Sequence, residues 1–80
     1  MKATVLVRPK PGILDPQGEA VHDSLRKLDF PVTGARVGRL VELELDVDDP
    51  VRAREHVERM CAELLANGLI ETVEIQVETR

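Results

Sequence analysis

Three segments of the chain alternate apolar and polar residues with a period of two, which predicts β-strands with one dry face. The middle segment is the clearest, because the apolar residues of 41–47 alternate with acidic ones. The first segment ends at Arg8, since Pro9 and Pro11 remove two backbone donors. The predicted inward residues are Ala3, Val5 and Val7 in the first strand, Val41, Leu43, Leu45 and Val47 in the second, and Val73, Ile75 and Val77 in the last.

Two other segments repeat apolar residues every three or four positions, which predicts amphipathic helices over residues 16–28 and 50–66. Each helix opens with an aspartate and a proline, because the carboxylate accepts free amides of the first turn and proline suits the first helical position. The two pairs are Asp15 with Pro16 and Asp49 with Pro50. Asn67 and Gly68 follow the second helix and predict a left-handed stop.

Residues 33–47 have extended character and allow two interpretations. Gly38 lies either in a tight turn between two hairpin strands or in a bulge that bends one long strand. The element order then predicts one α+β domain over residues 1–80, a two-layer β-α-β-β-α-β sandwich with both helices on one face of an antiparallel sheet. This is the ferredoxin-like plait, or a close variant with a long bent central strand.

Composition narrows the class of protein. Eleven Lys and Arg against fifteen Asp and Glu give a net charge of −4, and Phe30 is the one aromatic residue, so a nucleic-acid partner is not expected. No apolar run could span a membrane, and the single Cys61 fits a reducing compartment, so we expect a cytoplasmic protein. Apolar burial of about 120 kcal/mol offsets a conformational entropy cost of similar size, which favours stabilisation by other subunits.

Candidate catalytic groups are few. Cys61 lies on the apolar stripe of the second helix, which predicts a buried packing thiol, and His22 and His56 lie on different helices without metal-ligand spacing. The loop that carries Arg8 and Lys10 precedes a helix start and could hold an anion such as phosphate, or contact a protein. From the residues alone, the chain is a small interaction or ligand-binding domain.

Three stretches carry a further signal: VLVRPKPGILDPQGEAVHDSLRKLDF, ARVGRLVELEL and CAELLANGLIETVEIQVE. Together they resemble the PurS family, the small subunit of bacterial and archaeal phosphoribosylformylglycinamidine synthase. The resemblance is most specific in the stretches LDPQG and LLAN and in the number of residues between them. The chain differs from the family pattern at Gly68, where proline is usual, at Arg39, where lysine is common, and at Asp29, where glycine is common.

The resemblance implies a subunit of a purine-biosynthesis ligase with no activity of its own, which bridges a glutaminase subunit and a large synthetase and supports ammonia transfer between them. It implies that this chain binds no cofactor, that ATP and Mg are used by the large subunit, and that the chain forms a homodimer or tetramer. The partner contacts that we predict are Lys10, Gly12, Asp15, Gln17, Gly18, Arg36, Gly38, Arg39, Asn67 and Gly68.

Two other functions share the predicted element order. A regulatory module that binds a small molecule is the alternative, since plaits often pair their sheets around a ligand. A small acyl phosphatase is the third hypothesis, although it needs an arginine and an asparagine around a glycine-rich anion loop. The one asparagine of the chain, Asn67, lies far along the sequence from the first loop.

Overall fold

The computed structural model describes residues 1–78 as a sheet with two helices. The elements, in chain order, are β1 (Lys2–Pro9), α1 (Pro16–Lys27), β2 (Arg39–Glu44), α2 (Pro50–Met60) and β3 (Glu71–Glu78). A π-helical segment, Cys61–Leu65, continues α2 directly. The predicted α+β class and antiparallel sheet are confirmed.

The sheet has the order β2-β1-β3, with both neighbours antiparallel to the central strand β1. Val5 lies opposite Val41 in β2 and Ile75 in β3, so the apolar residues of the three strands share one face, which we call the front face. Helix α2 packs on this face, and the buried Val57 of α2 and Cys61 of the π-helical segment join the core. The alternation of the strands therefore predicted the core face correctly.

The sheet has three strands within residues 1–78, whereas the prediction allowed four with a hairpin at residues 33–47 or three with one long bent strand. Residues 33–38 form no strand, so the structure contains neither the hairpin nor the long bent strand of the prediction. The amide of Val37 donates to the side chain of Asp15, which lies before α1, so a distant residue takes this amide and not a strand. β2 ends at Glu44, before the predicted end at Val47, although Leu45 still exchanges backbone bonds with Met1, just ahead of β1.

Helix α1 lies outside the core, so only α2 covers the front face. The segment between α1 and β2 holds α1 in place by two hydrogen bonds. The Val37 amide donates to the Asp15 side chain, and His22 Nε2 lies 3.1 Å from the Val32 carbonyl oxygen. Its apolar stripe is open, with Leu28 66% exposed and Phe30 beside it 55% exposed. An amphipathic stripe shows that a helix has a dry side, but not which surface covers it.

The molecule is elongated, with extents of 48 × 27 × 14 Å and a radius of gyration of 15.8 Å. A compact domain of this length has a radius of gyration of about 11.6 Å. Its accessible surface is 6112 Å², against about 4,800 Å² for a compact monomer of this mass. The isolated chain therefore leaves apolar surface uncovered.

No helix in the described part of the chain has the length and apolar character needed to cross a membrane.

Candidate functional site

The segments that carry the predicted contacts meet at one end of the sheet. Because β2 and β3 run antiparallel to β1, their first residues, Arg39 and Glu71, lie beside the end of β1. The loops that leave or enter these strands therefore share one end of the molecule. We call this end the tip, and it comprises residues 10–18, 35–39 and 65–71.

Asp15 joins two of the three segments. Its Oδ1 accepts the amide of Gly18 at 3.1 Å, which caps the start of α1, and its Oδ2 accepts the amide of Val37 at 2.8 Å. These two amides, Val37 first, lower the pKa of Asp15 below its ordinary value. The helix start predicted from Asp15 is confirmed, and the same carboxylate ties α1 to the chain that enters β2.

Two glycines allow the backbones of the tip to approach closely. A Cβ at Gly18 would lie 2.5 Å from the Ala35 carbonyl oxygen and 2.9 Å from Cγ of Asp15. A Cβ at Gly38 would overlap the carbonyl oxygen of Val7 in the central strand. Neither glycine has a positive φ, so each is needed for space and not for backbone conformation.

Arg39 fastens the two outer strands together across β1. Its Nη1 donates to Oε2 of Glu71 at 2.6 Å and its Nη2 donates to Oε1 at 3.0 Å, a bidentate pair. Nη2 also donates to the Leu65 carbonyl at 2.6 Å, which ties the π-helical segment to the sheet. The hydrogen bond lowers the pKa of Glu71 and raises the pKa of Arg39.

The turn before β3 is held by backbone and side-chain bonds. Oε1 of Glu71 accepts the amide of Asn67 at 2.7 Å, and Oδ1 of Asn67 accepts the amide of Leu69 at 3.0 Å. The amide of Lys10 donates to the Ile70 carbonyl at 2.9 Å, which closes the loop after β1 onto this turn. The third segment of the tip is therefore fixed to the other two.

The left-handed stop predicted at Asn67 and Gly68 is wrong. The helical chain ends because Ala66 turns extended, with φ −144° and ψ 153°. In the described part of the chain, the residues with positive φ are Gly12, at +83°, and Asp29, at 69°. Asp29 follows α1, at the place where a residue in the left-handed region commonly ends a helix.

The predicted residues divide into two groups by their contacts. Asp15, Arg39, Asn67, the two close-packed glycines and the amide of Lys10 hold the tip together. In contrast, Gln17 and Arg36 are exposed, and Gly12 and Gly68 face open space. The first group shapes the surface, and the second group is accessible to a partner.

Apolar residues surround these polar groups. A cleft of about 300 Å³ lies between the loop after β1 and the turn before β3. Ile13, Leu14 and Ile70 line it, and Leu14 is 78% exposed. Leu64 and Leu69, which flank the turn, are each 84% exposed. Exposed apolar side chains gathered at one end of a small domain make a surface suited to binding a protein.

Glu71 is central to the tip, yet the sequence prediction did not include it as a contact. A signal was present, because Glu71 shares the front-face register with Val73 and the residues that follow. Arg39 likewise shares the front-face register of β2. Opposite charges in line with two apolar strand faces predict a pair across the strand between them.

The remaining candidate groups lie away from the tip chemistry. Cys61 is buried as predicted, and burial raises the pKa of its thiol, with a smaller effect from Glu58. Among residues 1–78, no three His, Cys, Asp or Glu side chains come together as metal ligands.

Comparison with known proteins gives a consistent result. The family model for PurS, phosphoribosylformylglycinamidine (FGAM) synthase, matches residues 2–79. The PurS subunit of FGAM synthase from Methanocaldococcus jannaschii is 35% identical over 78 residues, 96% of this chain and 94% of that protein. The subunit from Bacillus subtilis is 37% identical over 78 residues, 96% of this chain and 92% of that protein.

Solved structures agree with these sequence matches. The crystal structure of M. jannaschii PurS, one of the subunits of formylglycinamide ribonucleotide amidotransferase, aligns with a TM-score of 0.88 and 34% identity, covering 99% of this chain and 96% of that one. A chain in the structure of PurLQS from Thermotoga maritima aligns with a TM-score of 0.85 and 32% identity, covering 94% and 93%. The chain therefore belongs to the PurS family of FGAM synthase subunits.

Proposed function

We propose that this chain is the non-catalytic small subunit of a glutamine- and ATP-dependent FGAM synthase, and that it holds a glutaminase subunit and a large synthetase subunit together. Its family membership supports the role, as does its similarity to a chain of the T. maritima PurLQS structure. The structural observation that carries the proposal is the tip, where three distant segments form one braced surface with exposed apolar residues around it.

In this role the chain contributes surface and not reacting groups. The glutaminase releases ammonia from glutamine, and the large subunit, with ATP and Mg, converts formylglycinamide ribonucleotide to formylglycinamidine ribonucleotide. The small subunit keeps the two sites at a fixed separation, so that ammonia passes between them without loss to solvent. It binds no cofactor of its own and works in the cytoplasm.

The exposed part of the tip is the proposed partner contact. Gln17 and Arg36 offer polar groups, and Leu14 and Leu69 offer apolar ones. Because backbone bonds and the Arg39 pair fix the surrounding loops, little conformational entropy is lost when a partner binds.

Self-association accompanies this role. The accessible surface of 6112 Å² and the open stripe of α1 leave apolar area that a second copy can cover. We therefore propose a homodimer or tetramer as the form that enters the complex. Sedimentation equilibrium of the purified chain gives its mass, and a monomer at all concentrations would contradict this part of the proposal.

Reconstitution tests the function directly. The matching synthetase and glutaminase are combined with and without this chain, and formylglycinamidine ribonucleotide is measured with glutamine or with ammonium as nitrogen donor. We expect the chain to restore the glutamine-dependent reaction and to leave the ammonia-dependent reaction unchanged. Equal coupling of the two subunits without it would refute the assembly role, and a screen for small-molecule ligands by thermal shift would then test the regulatory alternative.

A further inference from the structure

The side of the sheet opposite α2, the back face, has no helix on it within residues 1–78. Charge changes along this face. At the end away from the tip, Lys2 lies opposite Glu44 and Glu78, so acidic groups dominate. At the tip end, Arg8 follows Leu6 on the same face of β1. Together with Arg36 of the adjoining segment, Arg8 outnumbers the nearby Glu74, so the back face is acidic at one end and basic at the other.

A cleft of about 500 Å³ opens at the basic end. Leu6 and Leu40, which lie opposite each other in β1 and β2, form apolar walls, and Leu40 is 53% exposed. Arg8 and Arg36 line the same cleft. Gly38 also lines it, and its lack of a side chain lets the backbone lie against β1. Arg39 lines it too, but its guanidinium is bound to Glu71, so the cleft combines two uncommitted guanidinium groups with a short apolar trough.

Both arginines are available to a partner. Arg8 lies 3.7 Å from Glu74, and both side chains are about half exposed, so this pair is weak. Arg36 forms no ion pair with any of the described carboxylates. Asp15, whose pKa Arg36 helps to lower, already accepts two backbone amides. Neither guanidinium is therefore committed to a strong internal bond.

We infer that this cleft is the docking site for a segment of a partner subunit that carries a carboxylate next to an apolar side chain. The inference rests on the proposed function and names the chemistry of one contact in it. Arg8 and Arg36 bind the carboxylate, and Leu6 and Leu40 cover the apolar side chain. The acidic far end repels the same segment, which fixes its position and direction on the face.

The back face of a second copy of this chain fits the cleft less well. Its own acidic end offers carboxylates, but the back-face residues there are polar, so Leu6 and Leu40 would stay uncovered. Those polar residues are Lys2, Thr4, Glu42, Glu44, Gln76 and Glu78. A free anion would leave the same two leucines in water. The combination of basic and apolar groups therefore favours a polypeptide of another subunit.

Binding of the purified glutaminase and synthetase subunits tests the inference by titration calorimetry at two salt concentrations. The double variant Arg8→Ala, Arg36→Ala is compared with Arg52→Ala, Arg59→Ala, which removes the same charge from exposed positions of α2. We expect at least about tenfold weaker binding to one subunit, and a weaker salt dependence, for the cleft variant. The control should bind within about twofold of the wild type.

Further variants separate charge from folding. Arg8→Lys, Arg36→Lys keeps the charge and should retain part of the affinity, because lysine lacks the bidentate fork. Leu40→Thr preserves strand preference and removes the apolar wall, so binding should weaken about threefold or more. Far-UV circular dichroism melts of the variants and the wild type are recorded alongside, so that a loss of binding is assigned to the cleft only when the melts agree.

Three results would overturn the inference. Wild-type affinity of the cleft variant for both subunits would exclude the cleft, and loss of self-association in its place would assign the face to a second copy. A rise in melting temperature with inorganic phosphate for the wild type, absent in the variant, together with unchanged subunit binding, would assign it to a free anion. If the wild type itself binds neither subunit, the proposed function fails as well, whereas normal wild-type binding confines the failure to the cleft.

Discussion

Gly38→Ala should destabilise the fold strongly for so small a change. The added Cβ would overlap the Val7 carbonyl oxygen and come 3.3 Å from the Cα of Arg8. That carbonyl belongs to β1, which is paired on both sides, so it cannot move without disturbing both ladders. The chain entering β2 must therefore shift away from the central strand.

The magnitude follows from a matched pair of substitutions. Overpacking of this kind costs about 1–3 kcal/mol of unfolding free energy. Gly34→Ala is the control, because nothing lies within 4 Å of its added Cβ and its φ is not positive. It should stabilise by about 0.4–1 kcal/mol through the unfolded chain. At about 4–8 °C per kcal/mol for a chain of this size, the two melting temperatures should differ by at least about 6 °C.

Thermal unfolding followed by far-UV circular dichroism is the suitable assay. The chain has no Trp or Tyr, so intrinsic fluorescence gives little signal. Both variants are measured at one protein concentration, since self-association makes the melting temperature concentration-dependent. Melting temperatures of Gly38→Ala and Gly34→Ala that agree within about 2 °C would show that the close approach to Val7 does not constrain the fold.

Three further predictions concern the core, a helix end and acid. Val57→Ala should lower the free energy of unfolding by about 2–3 kcal/mol, because Val57 is fully buried. Val51 is exposed, so Val51→Ala should change this free energy by under about 0.5 kcal/mol. Urea titrations measure both values, and equal effects would contradict the core assignment. Asp29→Gly should raise the free energy of unfolding by about 0.5–1 kcal/mol, because glycine adopts a φ of 69° without strain. A loss of stability would contradict this prediction. The pKa of Glu71 is lowered in the folded state, so its stabilisation is present above its ordinary value of 4.5 and is lost as pH falls through the folded value. Glu71→Gln should therefore reduce the loss of stability in acid relative to Glu55→Gln, an exposed control, and parallel pH profiles would refute this.

The sequence predicted the features that depend on near neighbours. Asp15 and Asp49 cap their helices as expected, because a carboxylate and the amides it accepts lie within a few residues. The strand faces were equally readable, since alternation assigns each residue to a side. These features needed no knowledge of the rest of the molecule.

The missing strand and the position of α1 depend on distant residues. Asp15 accepts the amide of Val37, which lies well beyond α1, and nothing in the extended pattern around Gly38 indicates that this amide is taken. The stripe of α1 predicts burial but names no surface, and in this chain that stripe stays open. Tertiary contacts decided both outcomes.

The candidate site was predicted in part. The resemblance indicated three segments, and the structure brings them together at the tip through bonds that involve Asp15, Arg39 and Asn67. Their role in holding the tip is visible only in three dimensions, because Glu71, the partner of Arg39, begins a strand on the far side of β1. The exposed contacts, such as Arg36, remain predictions.

The order of the strands also affects how the chain folds during synthesis. β1 is made first and holds the centre of the sheet, yet its full partner is β3, the last element, which pairs Lys2 with Glu78. Until β3 is made, one edge of β1 has no neighbour, and Val5 and Val7 lack much of their cover. Contacts so distant in sequence form slowly, and an unpaired central strand is prone to aggregation. The sheet is therefore completed only after β3 has been made and has paired with β1.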